Sequence, residues 1–345
     1  MSELLTGRAA TALDIAANKG FDEDAVLKAL LSRGEDQKRL FQLAREKRSE
    51  HFPNKEVEAR SVIEVSNICR QHCLYCGINL SSEKKRYVIG YEEIIGIVEH
   101  IYSKGRRVLL LQSGENNSQN YIDFICRCLS GIKQKFDGLT IILCLGNLNF
   151  NQYKQLKDAG ADRYILKFET SNPMLYEKTK PGDSLKARTE CLYQLIELGF
   201  EVGSGNITGL PGQTMEDIVK DFFFLSNFNL SMMSSSVFIP GEGSAFCNEP
   251  PGDIDITLNF MALMRIIYPH ALIPTTSSLE KARKDGQYLG LMAGANTVTV
   301  HDGTPPNLEE HFPIYSAVRF TPNEEYIRDI VSRAGLKLPA SLNEN

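Results

Sequence analysis

The chain of 345 residues is 42% hydrophobic and 23% charged, with a formal net charge of −5, which is enough apolar material for one barrel-sized core or two smaller ones. Acidic and basic residues are interspersed, so no basic patch or stripe marks a nucleic-acid partner. Apolar runs such as VLLLQ and DFFFL are far too short to span a bilayer, and MSELLTGRAATALDIAANKG lacks the basic and continuous apolar regions of a secretory signal; the expectation is a cytoplasmic protein with no membrane partner.

Residues 1–55 read as helical. FDEDAVLKALLS opens on acidic residues that suit a helix N-terminus, then repeats apolar residues at Val26, Leu27, Leu30 and Leu31. EDQKRLFQLAREKRSEHF continues the pattern and stops at Pro53. From about residue 60 the texture changes. Short apolar or β-branched runs predict strands at 60–66, 107–112, 139–144, 163–168, 201–207, 232–238, 272–276 and 297–300. Helices are predicted between them at 91–104, 118–134, 151–158, 173–178, 185–198, 214–227, 255–267 and 282–292. Eight evenly spaced alternations predict a complete (β/α)8 barrel of the TIM type rather than an open doubly wound sheet. The chain then divides into an N-terminal helical cap (1–55), a barrel (56–335) and a polar tail (336–345).

NICRQHCLYCGINL holds three of the eight cysteines, Cys69, Cys73 and Cys76, spaced C-x3-C-x2-C. The stretch follows predicted strand 1 directly, which places it at the C-terminal rim, where barrel active sites are built. In a reducing compartment, clustered cysteines are metal ligands or redox groups more often than disulfides. A structural zinc site needs four ligands, and no second C-x2-C exists; His72 adjoins Cys73, and adjacent residues rarely bind one ion together. Three thiolates on a [4Fe–4S] cluster leave one iron open, able to bind a substrate or cofactor.

With Tyr75 before the last cysteine, this spacing resembles the signature of the radical S-adenosylmethionine (radical SAM) superfamily. LYCG, RYVIGYEEI, LQSGE, AGADRYILKFET, NPMLYEKTKP, GLPGQT, FIP and IPTT narrow the resemblance to the HydE-like group, with methylornithine synthase and biotin synthase as relatives, over nearly the whole chain. The resemblance implies a [4Fe–4S] cluster on Cys69, Cys73 and Cys76 whose open iron chelates S-adenosylmethionine and cleaves it reductively to a 5′-deoxyadenosyl radical. Ser113, Gly114 and Glu115 resemble the motif that recognises the SAM amino group; glycine permits close backbone approach, and a carboxylate suits an ammonium. Glu169 resembles a carboxylate on the SAM side of the pocket, and Arg188 matches the arginine that pairs with the SAM carboxylate. Tyr75, Phe238 and Ile239 join the cofactor-binding set. Lys167, Thr275, Thr276 and Thr304 are expected on the substrate side. In GLPGQT, Thr214 suits a helix N-cap.

Other residues carry weaker signals. His301 and His311 are candidate ligands or proton carriers. Cys144 is a candidate for the cavity; Cys126 and Cys128 lie two apart on a helix and cannot share a cluster; Cys191 and Cys247 read as packing residues. The group has an arginine and a histidine where Lys167 and Phe168 stand, and Phe168 is expected to face outward. CLGNLN and VTVHDGTPP also depart from its pattern, and the chain has no tryptophan. The implied function is HydE-like maturation of the [FeFe]-hydrogenase cofactor. The alternatives are a paralogue acting on a small amino-acid-like metabolite, or sulfur insertion of the biotin- or lipoyl-synthase kind. The implied partners are a small-molecule or small iron-complex substrate and a low-potential electron donor such as ferredoxin or flavodoxin.

Overall fold

The structure, a computed structural model, describes residues 22–313 and 324–342; the first part of the predicted helical cap (1–21) and the last three residues lie outside them. Eight strands form from the apolar and β-branched runs: β1 Glu58–Ser66, β2 Val108–Ser113, β3 Thr140–Cys144, β4 Arg163–Ile165, β5 Glu201–Thr208, β6 Met232–Val237, β7 Pro274–Thr275 and β8 Thr297–Val300. They pair in parallel in the order β6-β5-β4-β3-β2-β1-β8-β7. A bridge between Met232 and Leu272 then brings β6 to the chain before β7, so the sheet curls into a nearly closed (β/α)8 barrel.

Among the described residues, two helices precede the barrel, α1 Glu23–Leu30 and α2 Gly34–His51. Then come α3 Tyr91–Ser103, α4 Gln119–Lys135, α5 Phe150–Asp158, α6 Pro173–Thr179, α7 Leu185–Glu197, α8 Met215–Phe224 and α9 Ile254–Ile267. The chain ends with α10 Ser277–Ala282, α11 Gly286–Met292, α12 Pro306–Glu309 and α13 Glu324–Arg333.

Strand residues alternate between two apolar layers. Outside, Ile63, Leu109, Leu111, Ile141 and Leu143 pack on Ile94, Val98, Ile122 and Ile125 of α3 and α4. Inside, Val62, Leu110, Ile142 and Met232 form a small plug. Each fully buried aliphatic side chain stabilises the fold by roughly 1.5–3 kcal/mol. Below the plug, Glu58 accepts from Arg60 Nε at 2.6 Å and Arg163 Nη1 at 2.8 Å, an ionic floor at the N-terminal end of the barrel.

Several expectations need correcting. The helix predicted at 282–292 begins only at Gly286, as α11, because Asp285 adopts the left-handed conformation (φ 61°) at a Lys-Asp-Gly turn; α10 before it had no counterpart in the sequence reading. β7 is short because Leu272 N and Ile273 N donate instead to Ser231 O and Asn296 Oδ1. α13 had no counterpart in the sequence reading; it buries Ile327, Ile330 and Val331. Residues 336–342 are no loose tail: Val57 N donates to Lys337 O at 2.9 Å, and Leu338 and Leu342 are buried. α1 and α2 lie against α9, where Asn259 Nδ2 donates to Leu30 O and Ser32 O; Arg48 reaches Leu291 O and Ala295 O at the foot of β8.

Candidate active site at the barrel mouth

The thiol loop leaves β1 through a register shift between Glu64 and Ser66. Cys69, Cys73 and Cys76 all line one cavity of about 330 Å3 at the C-terminal end of the barrel, whereas His72 is exposed. The loop's shape comes largely from one side chain. Arg86, in RYVIG, donates to Asn67 O (2.6 Å), Ile78 O (2.9 Å) and Asn79 O (2.5 Å), with longer bonds to Leu80 O and Ser82 O. Asn79 Nδ2 donates to Cys73 O at 3.0 Å. Burial pushes the Cys69, Cys73 and Cys76 thiols up, and neighbouring thiols add to this at Cys73 and Cys76. A metal that takes them as thiolates displaces those protons.

Arg86→Ala is expected to retain the barrel but to load several-fold less iron on reconstitution, since each charged hydrogen bond lost contributes about 1.5–3 kcal/mol. Iron per chain and the far-ultraviolet dichroism spectrum measure this; full iron loading would show that the loop is held by other contacts.

The LQSGE segment packs directly behind the loop. A Cβ on Gly114 would lie 2.5 Å from Ile68 O and 2.7 Å from Cys69 Cβ, so only glycine lets the end of β2 come this close. Glu115 is buried and lines the cavity. Its carboxylate accepts from Gln71 Nε2 (2.5 Å), Arg70 Nη2 (2.9 Å) and Asn147 N (2.8 Å), tying the thiol loop to the ends of β2 and β3. Gly146, in CLGNLN, has φ 82°, and a Cβ there would lie 2.3 Å from Glu115 Oε2. Ser113 also lines the cavity, its hydroxyl donating to Gly114 O.

Beyond β4, Lys167 and Glu169 both face the cavity, as alternation requires, and Phe168 points outward onto Phe224. Lys167 Nζ lies 3.1 Å from Glu169 Oε2, yet no donor is aligned on that buried oxygen. Glu169 also has φ 64°, a left-handed conformation that costs a non-glycine residue about 1–3 kcal/mol.

Arg188 lies on α7, buried and lining the cavity. Its Nε donates to Tyr176 Oη at 3.0 Å, and Nη2 lies 3.6 Å from Asp183 Oδ2. Tyr176 Oη donates to Asp183 Oδ2 at 2.9 Å, and Lys180 Nζ pairs with that oxygen at 2.6 Å. The opposite wall is apolar. Phe238 and Ile239, after β6, line the cavity; Phe238 packs edge-on to Phe246, beside Tyr75 of the thiol loop.

The substrate-side set divides. Lys167 and Thr276 line the cavity. Thr275 does not: it is the outward residue of β7, and its hydroxyl donates to Gln287 O at 2.7 Å. Thr304 does not either; its hydroxyl donates to Glu64 Oε2 at 2.9 Å and accepts from Glu64 N. Glu64, fully buried on β1, also meets His301 Nδ1 at 3.2 Å, and His301 lines the cavity. The His311 side chain is not among the lining groups; its carbonyl receives Asn67 Nδ2. Cys144 lines the cavity, Cys128 belongs to the outer core with Cys126 beside it, and Cys191 is buried. Cys247 is exposed, not a packing residue, because it falls in the turns after β6.

Sequence reasoning missed Glu64, Lys180, Tyr176 and Asp183. An acidic residue inside the apolar run SVIEVS was the available signal for Glu64. Lys180 and Asp183 sit in the KTKPGD turn, which spacing alone did not mark as functional.

Among the described residues, no three His, Cys, Asp or Glu side chains are placed to hold a single metal ion. The thiol loop suits a larger centre: a four-iron cluster is several ångströms across and spreads its cysteine ligands. The Glu169 carboxylate, whose Oε2 meets Lys167 but accepts no aligned hydrogen bond, and the close approach at Gly114 fit a polar cofactor seated beside it. The fold and the mouth therefore define a barrel enzyme with a three-thiol centre and an adjoining polar pocket.

Comparison with known proteins agrees. The Radical SAM superfamily description matches residues 63–225. The chain is 38% identical over 278 residues to the [FeFe] hydrogenase maturase subunit HydE of Thermotoga maritima, covering 80% of this chain and 78% of that protein. It is 29% identical to 3-methylornithine synthase of Methanosarcina acetivorans over 81% of this chain and 80% of that one. The crystal structure of methylornithine synthase (PylB) superposes with a TM-score of 0.81 at 23% identity, over 96% of this chain and 98% of that one. The chain belongs to the radical SAM superfamily. It is an enzyme of the kind that uses a [4Fe–4S] cluster and S-adenosylmethionine, with a small-molecule substrate and a reductant. No helix among the described residues is long and apolar enough to cross a membrane.

Proposed function

We propose that this enzyme performs HydE-like maturation of the [FeFe]-hydrogenase cofactor, acting on a small iron complex in the barrel. The supporting observation is the 38% identity to a HydE protein over 80% of the chain. In this reading Cys69, Cys73 and Cys76 hold the cluster. Ser113, Gly114, Glu115, Glu169 and Arg188 hold S-adenosylmethionine, with Tyr75, Phe238 and Ile239 as the apolar side of its seat. When bound, the cluster supplies the electron that cleaves S-adenosylmethionine to a 5′-deoxyadenosyl radical. The chain's own work is positioning and exclusion. Arg188 presents a guanidinium to a carboxylate, Glu169 offers a cation the carboxylate that Lys167 meets without an aligned hydrogen bond, and the plugged barrel keeps water from the reacting centre. Lys167 and Thr276 face the substrate. The protein works in the cytoplasm with a ferredoxin- or flavodoxin-type donor and no nucleic acid.

A second reading, an amino-acid-like substrate, draws support from Lys167. An ammonium pairs with a carboxylate as a point charge and does not offer the planar fork of the arginine it replaces. One experiment separates the two. Reconstituted enzyme is added to a hydrogenase maturation mixture lacking only HydE, and in parallel to lysine and other amino acids. The expected result is active hydrogenase and no amino-acid product. No hydrogenase activity, with a rearranged amino acid detected by mass spectrometry, would overturn the maturase reading.

A further inference from the structure

Glu169 is the apex of a tight turn. Thr170 N donates across it to Phe168 O at 2.8 Å, and the φ of Glu169 is 64°. A three-residue turn with positive φ at its centre is the rare, strained γ form. Pairing with β5 holds one side: Glu169 N donates to Gly205 O at 3.0 Å, and Ile207 N donates to Glu169 O at 2.8 Å. The exit is held from outside the barrel wall, by Asp221 of α8. Asp221 Oδ1 accepts from Ser171 N (2.6 Å) and Ser171 Oγ (2.7 Å), and Oδ2 accepts from Asn206 Nδ2 (3.1 Å) and Gln213 Nε2 (3.2 Å). Asp221 has no exposed surface, and these donors are all neutral. A buried carboxylate held by neutral donors is an expensive way to join a helix to a loop. It is worth having only if the loop must be held in a conformation that it would otherwise leave.

Gln213 gives GLPGQT its part. Its Oε1 accepts from Gly209 N and Leu210 N, while its Nε2 reaches both Ile207 O and Asp221. The loops after β4 and β5 are thereby fastened to one carboxylate.

We propose that Asp221 is a positioning residue for the S-adenosylmethionine site: it holds the strained turn that directs the Glu169 carboxylate into the cavity. The proposal rests on the reading of Glu169 as a residue of that site. Asp221→Asn is the informative change. The new side chain keeps one oxygen for Ser171 but turns an amide towards the amides of Asn206 and Gln213, donor against donor.

The test is a double-mutant cycle read by equilibrium dialysis of S-adenosylmethionine, with iron content measured alongside. Wild type, Asp221→Asn, Glu169→Ala and the double variant are each reconstituted anaerobically. Asp221→Asn is expected to weaken binding about tenfold when Glu169 is present and less than about twofold when it is absent, at unchanged iron content. Equal losses in both backgrounds, or no loss in either, would make Asp221 an ordinary structural residue and overturn the proposal alone. Wild-type affinity in Glu169→Ala would overturn the reading of the site and the proposal with it. If Asp221→Asn does not fold, Ser171→Ala removes one donor and leaves the backbone bond in place. It is expected to weaken binding about threefold, again only with Glu169 present; no loss there would also overturn the proposal.

Discussion

Cys73→Ala protein, reconstituted anaerobically with iron and sulfide, is expected to hold almost no iron and to form no 5′-deoxyadenosine. Wild type should hold about four irons per chain on three thiolates. Cys73 is the most buried of the three thiols and the middle one of the loop, and its carbonyl receives Asn79 Nδ2. Its loss leaves two sulfurs to hold a centre that already has one open iron. The alanine itself fits, since it removes only a sulfur from a site shaped by Arg86 and Asn79, so the barrel should fold as before. Iron and sulfide assays, electron paramagnetic resonance and chromatographic detection of deoxyadenosine measure the outcome. A variant that keeps its cluster and still cleaves S-adenosylmethionine would remove Cys73 from the centre.

Lys167→Ala separates cofactor chemistry from substrate chemistry. The ammonium is paired with Glu169 at 3.1 Å and lies 3.4 Å from Ser236 Oγ, so it contributes the positive charge at the end of β4. Without it the Glu169 carboxylate loses its counter-charge, which does not hinder a cationic cofactor. Iron content and uncoupled deoxyadenosine formation are therefore expected to persist. Product formation should fall about ten- to a hundredfold, the loss expected when a charge-assisted contact to an anionic substrate group disappears. If the enzyme is a divergent maturase, Lys167→Arg should shift activity further towards the hydrogenase precursor. Deoxyadenosine and product measured in parallel decide the matter; normal product yield from Lys167→Ala would show that this lysine does not select the substrate.

The barrel was legible because parallel strands covered on both faces are written as short apolar runs, and eight of them recur at barrel spacing. The thiol loop was legible because its three cysteines are neighbours in sequence. What stayed hidden depends on which way a side chain points at a strand end. Thr275 and Thr276 are adjacent, and only the pleat of β7 decides that Thr276 meets the cavity while Thr275 meets Gln287. Thr304 looked like a rim hydroxyl, but the fold spends it on Glu64, a partner 240 residues away. Arg188 was legible only through the family resemblance: an arginine on an amphipathic helix reads as solvated, and the packing of α7 against Tyr176 buries it in the wall of the cavity. The Lys-Asp-Gly turn before α11 was written in the sequence, but the predicted helix ran through it from residue 282.

The thiol loop is finished by residues far downstream. Asn67 Nδ2 donates to His311 O, Glu64 N donates to Thr304 Oγ1, and Pro313 O sits where a Cβ on Gly77 would have to go. During synthesis at about 5–20 residues per second, the stretch that closes over the loop follows the cysteines by roughly ten to fifty seconds. Through that interval the nascent chain carries three thiols without the downstream residues that close over them, while strands β2 to β8 are still being added. A centre is enclosed as this structure would enclose it only once β8 has joined β1 and the residues after β8 have reached the loop.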